Sequence, residues 1–145
     1  MRYFYSFEEF QTDINYLAKE IKKYNPDCLV AIARGGLTLS HFLGELLNIR
    51  DVFTINSIHY ENEKKLDSFI IKNIPDLSNQ HKIILLDDIS DTGETLNEII
   101  NILNKKFPHL NIITATIFYK KNSIIIPDIK IKEAESWITF FWEKN

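Results

Sequence analysis

The chain has 145 residues, 45% apolar and 26% charged, a length and balance that suit one globular domain over residues 1–145. A formal net charge of −3 excludes the basic surface that drives nonspecific nucleic-acid binding, so no nucleic-acid partner is expected. The lone cysteine, Cys28, allows no internal disulfide, no apolar run reaches the ~18 residues that span a membrane, and "MRYFYSFEEF" carries charge too early for a signal peptide, so a cytoplasmic protein without an integral membrane segment is expected.

In chain order, "YSFEEF" opens a helix. Ser6 can cap it, Glu9 stands at the capping-box position, and Tyr5 with Phe10 can staple the start. Phe7, Phe10, Ile14, Leu17, Ala18 and Ile21 continue at helical spacing until Asn25-Pro26. "CLVAIA" (28–33) is a continuous apolar run, the pattern of a strand covered on both faces. After "RGG" comes a helix from about Thr38 to Leu47, then a strand at 51–58. Residues 59–68 are polar and charged and read as a loop, followed by a short strand at 69–74. "KIILLD" (82–87) is a buried strand, and a helix from about Glu94 to Phe107 turns Leu96, Ile99, Ile100, Leu103 and Phe107 to one face. Pro108 stops it, and "NIITATIFY" (111–119) is a further strand. The remainder, through "ESWITFFWEKN", is less regular. Strands alternating with helices imply an α/β fold with a mostly parallel sheet, whose ligands bind beyond the carboxyl ends of the strands. "RGG", "DDISDTGET" and "KK" all fall at that edge.

The chemistry concentrates in "IILLDDISDTGETL" (83–96), where Asp87, Asp88 and Asp91 crowd a strand end. Crowded carboxylates repel unless a cation or hydrogen-bond donors lie among them. "DTGET" (91–95) stands between a strand and a helix, and a helix N-terminus offers free amides and a positive dipole end to phosphate. Gly93 lets the backbone come close, and Thr92 and Thr95 add hydroxyl donors. No Lys or Arg occurs between Lys82 and Lys105, which suits one monophosphate better than a triphosphate. The same residues would also make an ordinary helix cap. Asp87 and Asp88 can accept from a vicinal diol or hold a divalent cation with water. A ribose 5-phosphate carries both a diol and a phosphate.

This stretch resembles the phosphoribosyl pyrophosphate (PRPP) motif of the type I phosphoribosyltransferases. "VAIARGGLTLSHFLGELLNIRDV" is similar to the pyrophosphate loop region of the bacterial xanthine-guanine and hypoxanthine enzymes, "ATIFYK" to their purine-lysine strand, and "ESWITFFW" to their C-terminal segment. The resemblance implies a type I phosphoribosyltransferase fold with a small C-terminal hood, purine salvage on a 6-oxopurine, Mg²⁺ as cofactor and a homodimer or homotetramer. It implies that Asp87 and Asp88 bind the ribose diol, Asp88 also reaching Mg²⁺. Asp91 would be general acid/base near N7 of the purine, and Asp91, Thr92, Gly93, Glu94 and Thr95 would hold the 5-phosphate. Arg34 and Gly35 would meet pyrophosphate, with a cis peptide in that loop. Lys120 would donate to the 6-oxo group, Trp137 would stack on the ring, and Ile138 would contact its edge through a backbone carbonyl. Read alone, "RGG" is also an ordinary turn, Lys120 a surface lysine and Trp137 a core residue.

Two departures stand out. Relatives place Ser-Tyr at the start of a mobile lid where this chain has His59-Tyr60, and Glu94 adds an acid to the phosphate loop, so its side chain is expected to point away. Lys64 or Lys65 would give the lid its pyrophosphate cation. The same fold also serves regulators, which need a basic face that this chain lacks. A lysine donor beside the base disfavours an adenine enzyme, because it needs an acceptor at position 6.

Overall fold

Three largely apolar runs, 28–33, 83–86 and 112–118, form the middle of the sheet around which the chain is built. The computed structural model describes residues 1–60 and 68–144. In chain order the elements are β1 (Arg2–Tyr5), α1 (Phe7–Lys22), β2 (Cys28–Ala33), α2 (Leu37–Leu47), β3 (Val52–Tyr60), β4 (Ser68–Lys72), β5 (Lys82–Ser90), α3 (Glu94–Lys106), β6 (Asn111–Tyr119), β7 (Lys132–Glu133) and β8 (Trp137–Phe140). Six of the strands make one sheet in the order β4-β3-β2-β5-β6-β7, parallel except for the β3–β4 pair. The sheet separates two apolar clusters. Leu29, Ile84, Leu86 and Ala115 pack with α1 and α2 on one face, and Val30, Ile83 and Leu85 pack with Leu96, Ile99 and Leu103 of α3 on the other.

Helix α1 begins with half of the expected capping box: Ser6 Oγ accepts the Glu9 amide at 3.1 Å, and Tyr5 and Phe10 are both fully buried in one cluster, but the Glu9 carboxylate does not return to the Ser6 amide. Glu9 uses its Oε1 on the Tyr3 hydroxyl, at 2.6 Å. The helix stops at Lys22, before Asn25-Pro26.

Differences from the sequence reading lie at the margins of elements and in the short strands β1, β7 and β8, which it did not assign. His59 and Tyr60 belong to β3 and Ser68 to β4, so both strands reach into the stretch read as loop, because antiparallel pairing continues to Tyr60↔Ser68. The hood is a two-stranded parallel sheet of β1 and β8, with Arg2 opposite Trp137 and Tyr5 opposite Phe140. It is therefore built from an N-terminal strand as well as the expected C-terminal segment. Tyr5, Phe140, Phe118 and Trp142 pack edge to face beneath it, with Phe140 and Trp142 stacked at 4.7 Å.

Candidate functional site

Strand β5 does not end with its apolar residues. Pairing with β6 carries it on through Asp87↔Thr116, Ile89↔Phe118 and Ser90↔Tyr119, so Asp87 and Asp88 stand within a strand. Both are half-buried, and the Asp88 amide donates to Asp87 Oδ1 at 2.8 Å. Burial pushes the Asp87 carboxyl well above the usual carboxylate range, and the neighbouring Asp88 charge adds to it. Burial also raises Asp88, and the charge of Glu143 raises it further. These groups are costly to ionise and are poised for a cation or for donors.

The loop after β2 comes directly to them. A Cβ placed on Gly35 would lie 2.6 Å from Asp88 Oδ2 and 2.7 Å from its Cγ, so glycine is what admits the carboxylate there. Gly36 lies backbone to backbone against Leu86. The Ala33–Arg34 peptide is cis, and Arg34 is exposed beside this contact.

Beyond Ser90 the chain turns through 91–93 into α3. Gly93 has φ +86°, the left-handed region that disfavours other residues. A Cβ there would meet Ser123 Oγ at 2.5 Å and the Ile125 amide at 2.7 Å. The glycine therefore lets the loop seat on segment 123–125, in addition to any closeness to a ligand. The seat is hydrogen-bonded: Ser90 Oγ to Ser123 Oγ at 2.8 Å, Ser90 Oγ to the Ile125 carbonyl at 3.0 Å, and the Ile124 amide to the Thr92 carbonyl at 2.9 Å. Helix α3 starts without a side-chain cap at Gly93, although Thr92 Oγ1 accepts the Glu94 amide at 3.2 Å. A concavity of about 80 Å³ opens here, lined by Asp87, Asp91, Thr92, Gly93 and Thr95 among others. Glu94 is exposed in the first turn of the helix.

The Lys120 amide donates to the Ser90 carbonyl at 2.9 Å, and that register carries its side chain to Asp91, Nζ to Oδ1 at 2.7 Å. Lys121 lies 3.5 Å from Glu133 instead, which separates the two adjacent lysines. Trp137 on β8 is 66% exposed, which rules out the core alternative for it, whereas Ile138 is buried. Lys64 and the rest of the lid segment 61–67 lie outside the described residues. The structure thus brings Arg34, Gly35, Asp87, Asp88, Asp91, Thr92, Gly93, Thr95 and Lys120 to the carboxyl edge of β2, β5 and β6, with Trp137 and Ile138 on the hood. Sequence reading missed Glu143, whose charge reaches Asp88. Only its place next to "ESWITFFW" could have drawn attention to it.

A parallel sheet bearing an acidic pair, a glycine loop against it and a polar concavity at a helix start belongs to the α/β proteins that bind phosphorylated small molecules at the carboxyl edge. The chain belongs to the phosphoribosyl transferase domain family, whose model matches residues 5–144. It is similar to a xanthine-guanine phosphoribosyltransferase of Cereibacter sphaeroides, 29% identical over 95% of this chain and 84% of that protein. Among solved structures it resembles a xanthine-guanine-hypoxanthine phosphoribosyltransferase of Helicobacter pylori, 34% identical with a TM-score of 0.91 over 99% of this chain and 94% of that one. A purine phosphoribosyltransferase of Pyrococcus horikoshii follows at 29% identity and a TM-score of 0.86, covering 99% and 95%.

Proposed function

We propose that the protein is a purine salvage phosphoribosyltransferase, converting PRPP and a 6-oxopurine (guanine, xanthine or hypoxanthine) to the nucleoside 5′-monophosphate and pyrophosphate. The observation that carries this reading is the juxtaposition of two half-buried carboxylates, Asp87 and Asp88, with the open start of α3 and the Asp91–Lys120 pair on one sheet edge. The comparisons with purine enzymes support the choice of base class.

In this reading the α3 amides with Thr92 and Thr95 take the 5-phosphate. Asp87 and Asp88 accept from the ribose hydroxyls, and Arg34 with the backbone at Gly35 meets the pyrophosphate. As the C1′–pyrophosphate bond breaks, these carboxylates lie beside the carbon that becomes cationic. Purine N9 bonds to C1′ from the other face while Asp91 takes the N7 proton; such proton transfer is typically worth ~10²–10⁴ in rate. Trp137 covers the ring, Ile138 lines its edge, and the Lys120 ammonium donates to the 6-oxo oxygen.

Mg²⁺ fits this site as a partner of the substrate. Among the described residues no three His, Cys, Asp or Glu side chains form a metal cage. Asp88, disfavoured as an anion by burial and by Glu143, supplies the kind of single carboxylate that such an ion uses alongside phosphate oxygens. When bound, the ion neutralises charge on the leaving pyrophosphate.

A homodimer or homotetramer is part of the proposal, supported by Leu37 and Leu46 on α2 and Val52 on β3, each 38% exposed or more. The buried free thiol of Cys28 suits a reducing cytoplasm. No helix among the described residues is long and apolar enough to cross a membrane.

The test is a coupled pyrophosphate-release assay with PRPP, Mg²⁺ and a panel of bases. Turnover with at least one 6-oxopurine and little with adenine is expected; preference for adenine or orotate would overturn the assignment.

A further inference from the structure

The Asp91–Lys120 contact joins the group proposed to move a proton at N7 to the group proposed to recognise position 6 of the base. It is not a chance meeting of two flexible side chains. The Lys120 amide is bonded to the Ser90 carbonyl at 2.9 Å, one residue before Asp91. The turn that follows closes with the Ser123 amide on the Lys120 carbonyl at 3.1 Å, and Ser123 is bonded in turn to Ser90 at 2.8 Å. The Ile124 amide holds Thr92 from the far side, at 2.9 Å. Both backbones are thus fixed to one frame, and each side chain needs only its own length to reach the other. The neighbouring ammonium, Lys121, is engaged by Glu133.

We propose that Lys120 latches Asp91 in the ligand-free enzyme and releases it only in exchange for a 6-oxo acceptor, so that the base is selected at the proton-transfer step as well as at binding. The inference rests on the function proposed above. Asp91 must present a free carboxylate oxygen to the N7 proton as N9 bonds to C1′ and the electron pair of the broken C1′–O bond leaves with pyrophosphate. While the ammonium holds Oδ1, the carboxylate is turned toward Lys120 and that oxygen is not free to meet N7. A 6-oxo oxygen gives the ammonium another acceptor within the same site, and the carboxylate turns to N7. A 6-amino group is a donor, and an unsubstituted carbon 6 offers nothing, so with such bases Lys120 stays on Asp91. Discrimination then appears in the rate of chemistry on bound substrate, where a purely binding role for Lys120 would show it in KM.

The pair is partly exposed, 38% for Lys120 and 53% for Asp91, so the latch is modest and its removal is worth about two- to fivefold in rate. The experiment measures single-turnover rates at saturating PRPP and Mg²⁺ with hypoxanthine, guanine, adenine and unsubstituted purine, in wild type, Lys120→Met and Lys120→Arg. Lys120→Gln serves as a second uncharged variant should Met disturb the turn. Loss of the ammonium is expected to slow hypoxanthine and guanine by about tenfold or more, because their oxo group loses a charged donor. The same change is expected to speed adenine and unsubstituted purine about two- to fivefold above wild type. Lys120→Arg should return all four bases toward the wild-type order. Equal slowing of all four, or adenine and purine rates left at the wild-type level, overturns the latch while leaving the proposed function intact. A wild type that turns over no 6-oxopurine overturns the function and the latch with it.

Discussion

Two helices of this chain begin in opposite ways. At α1, Ser6 Oγ takes the Glu9 amide and the neighbouring Tyr5 is sealed into the core. At α3, a glycine at φ +86° stands in the cap position, only the Thr92 hydroxyl reaches a first-turn amide, that of Glu94, and a concavity of about 80 Å³ remains. The α1 start is completed by the chain's own atoms and serves stability. The α3 start holds its amides in place through a scaffold behind them, Ser90, Ser123 and Ile125, and leaves their front for a ligand. The same chain caps one helix and withholds the cap from the other, so the open end is a property of the site. The acidic pair beside it follows the same logic, since Asp87 and Asp88 are raised by burial and charge that the protein alone does not relieve.

Replacing Gly93 with alanine should have the largest effect, because it attacks the scaffold of the open helix start. The new methyl would fall 2.7 Å from the Ile125 amide and force a positive φ on a residue that resists it. Such strain costs about 1–3 kcal/mol, or several degrees in melting temperature at about 2–4 °C per kcal/mol. PRPP-dependent turnover should fall at least about tenfold. Unchanged melting and kinetics would mean that the loop is not held as described.

Next comes Asp88→Asn, which should weaken PRPP binding at fixed Mg²⁺ by about 10–100-fold, on the scale of lost metal-site partners, while melting at neutral pH does not fall, because burial disfavours the Asp88 anion. Calorimetry of PRPP binding is the measurement, and unaltered affinity would remove Asp88 from the site.

Asp87→Asn should separate function from stability. Its folded-state pKa is raised, so the ligand-free protein loses stability as pH climbs from the ordinary carboxylate range, about 4, through the higher folded value. At neutral pH the variant should therefore melt higher than wild type by a few degrees yet use PRPP worse. A melting scan from pH 5 to 8 decides it: the wild type should lose ground to the variant as pH rises, and a parallel pair of curves would contradict the raised carboxyl.

The smallest effect belongs to the capped helix. Ser6→Ala should cost ~1 kcal/mol of stability and leave kcat/KM within about twofold. A large kinetic loss would break the division of labour between the two helix starts.

What could be read in the sequence follows the range of the forces involved. Strands β2, β5 and β6 were legible because 28–33, 83–86 and 111–119 carry their burial in their own residues. Ser6 was legible because capping acts over three residues. Strand β1 was not, since only Tyr5 of its four residues is buried and its partner, β8, lies at the far end of the chain. The continuation of β5 through two aspartates was hidden for a related reason: only the register with β6 holds them in the strand. The acidic motif itself stood out in the sequence, but the Asp91–Lys120 contact did not, because residues 91 and 120 meet through strand pairing that no local spacing encodes. The lid segment 61–67 lies outside the described residues.

The hood, finally, gives the molecule an order of assembly. Its two strands come from opposite ends of the described chain, residues 2–5 and 137–140, and each is the other's hydrogen-bonded neighbour in that sheet. During synthesis the strand that carries Asp87 and Asp88, and the turn after it that carries Asp91, leave the ribosome well before Trp137 does, and domains fold as their segments become available. A nascent chain can therefore hold the groups proposed for the phosphorylated sugar while residue 2 still waits for a partner. Within the described chain, the surface that would cover the base is completed after the sheet edge it would face.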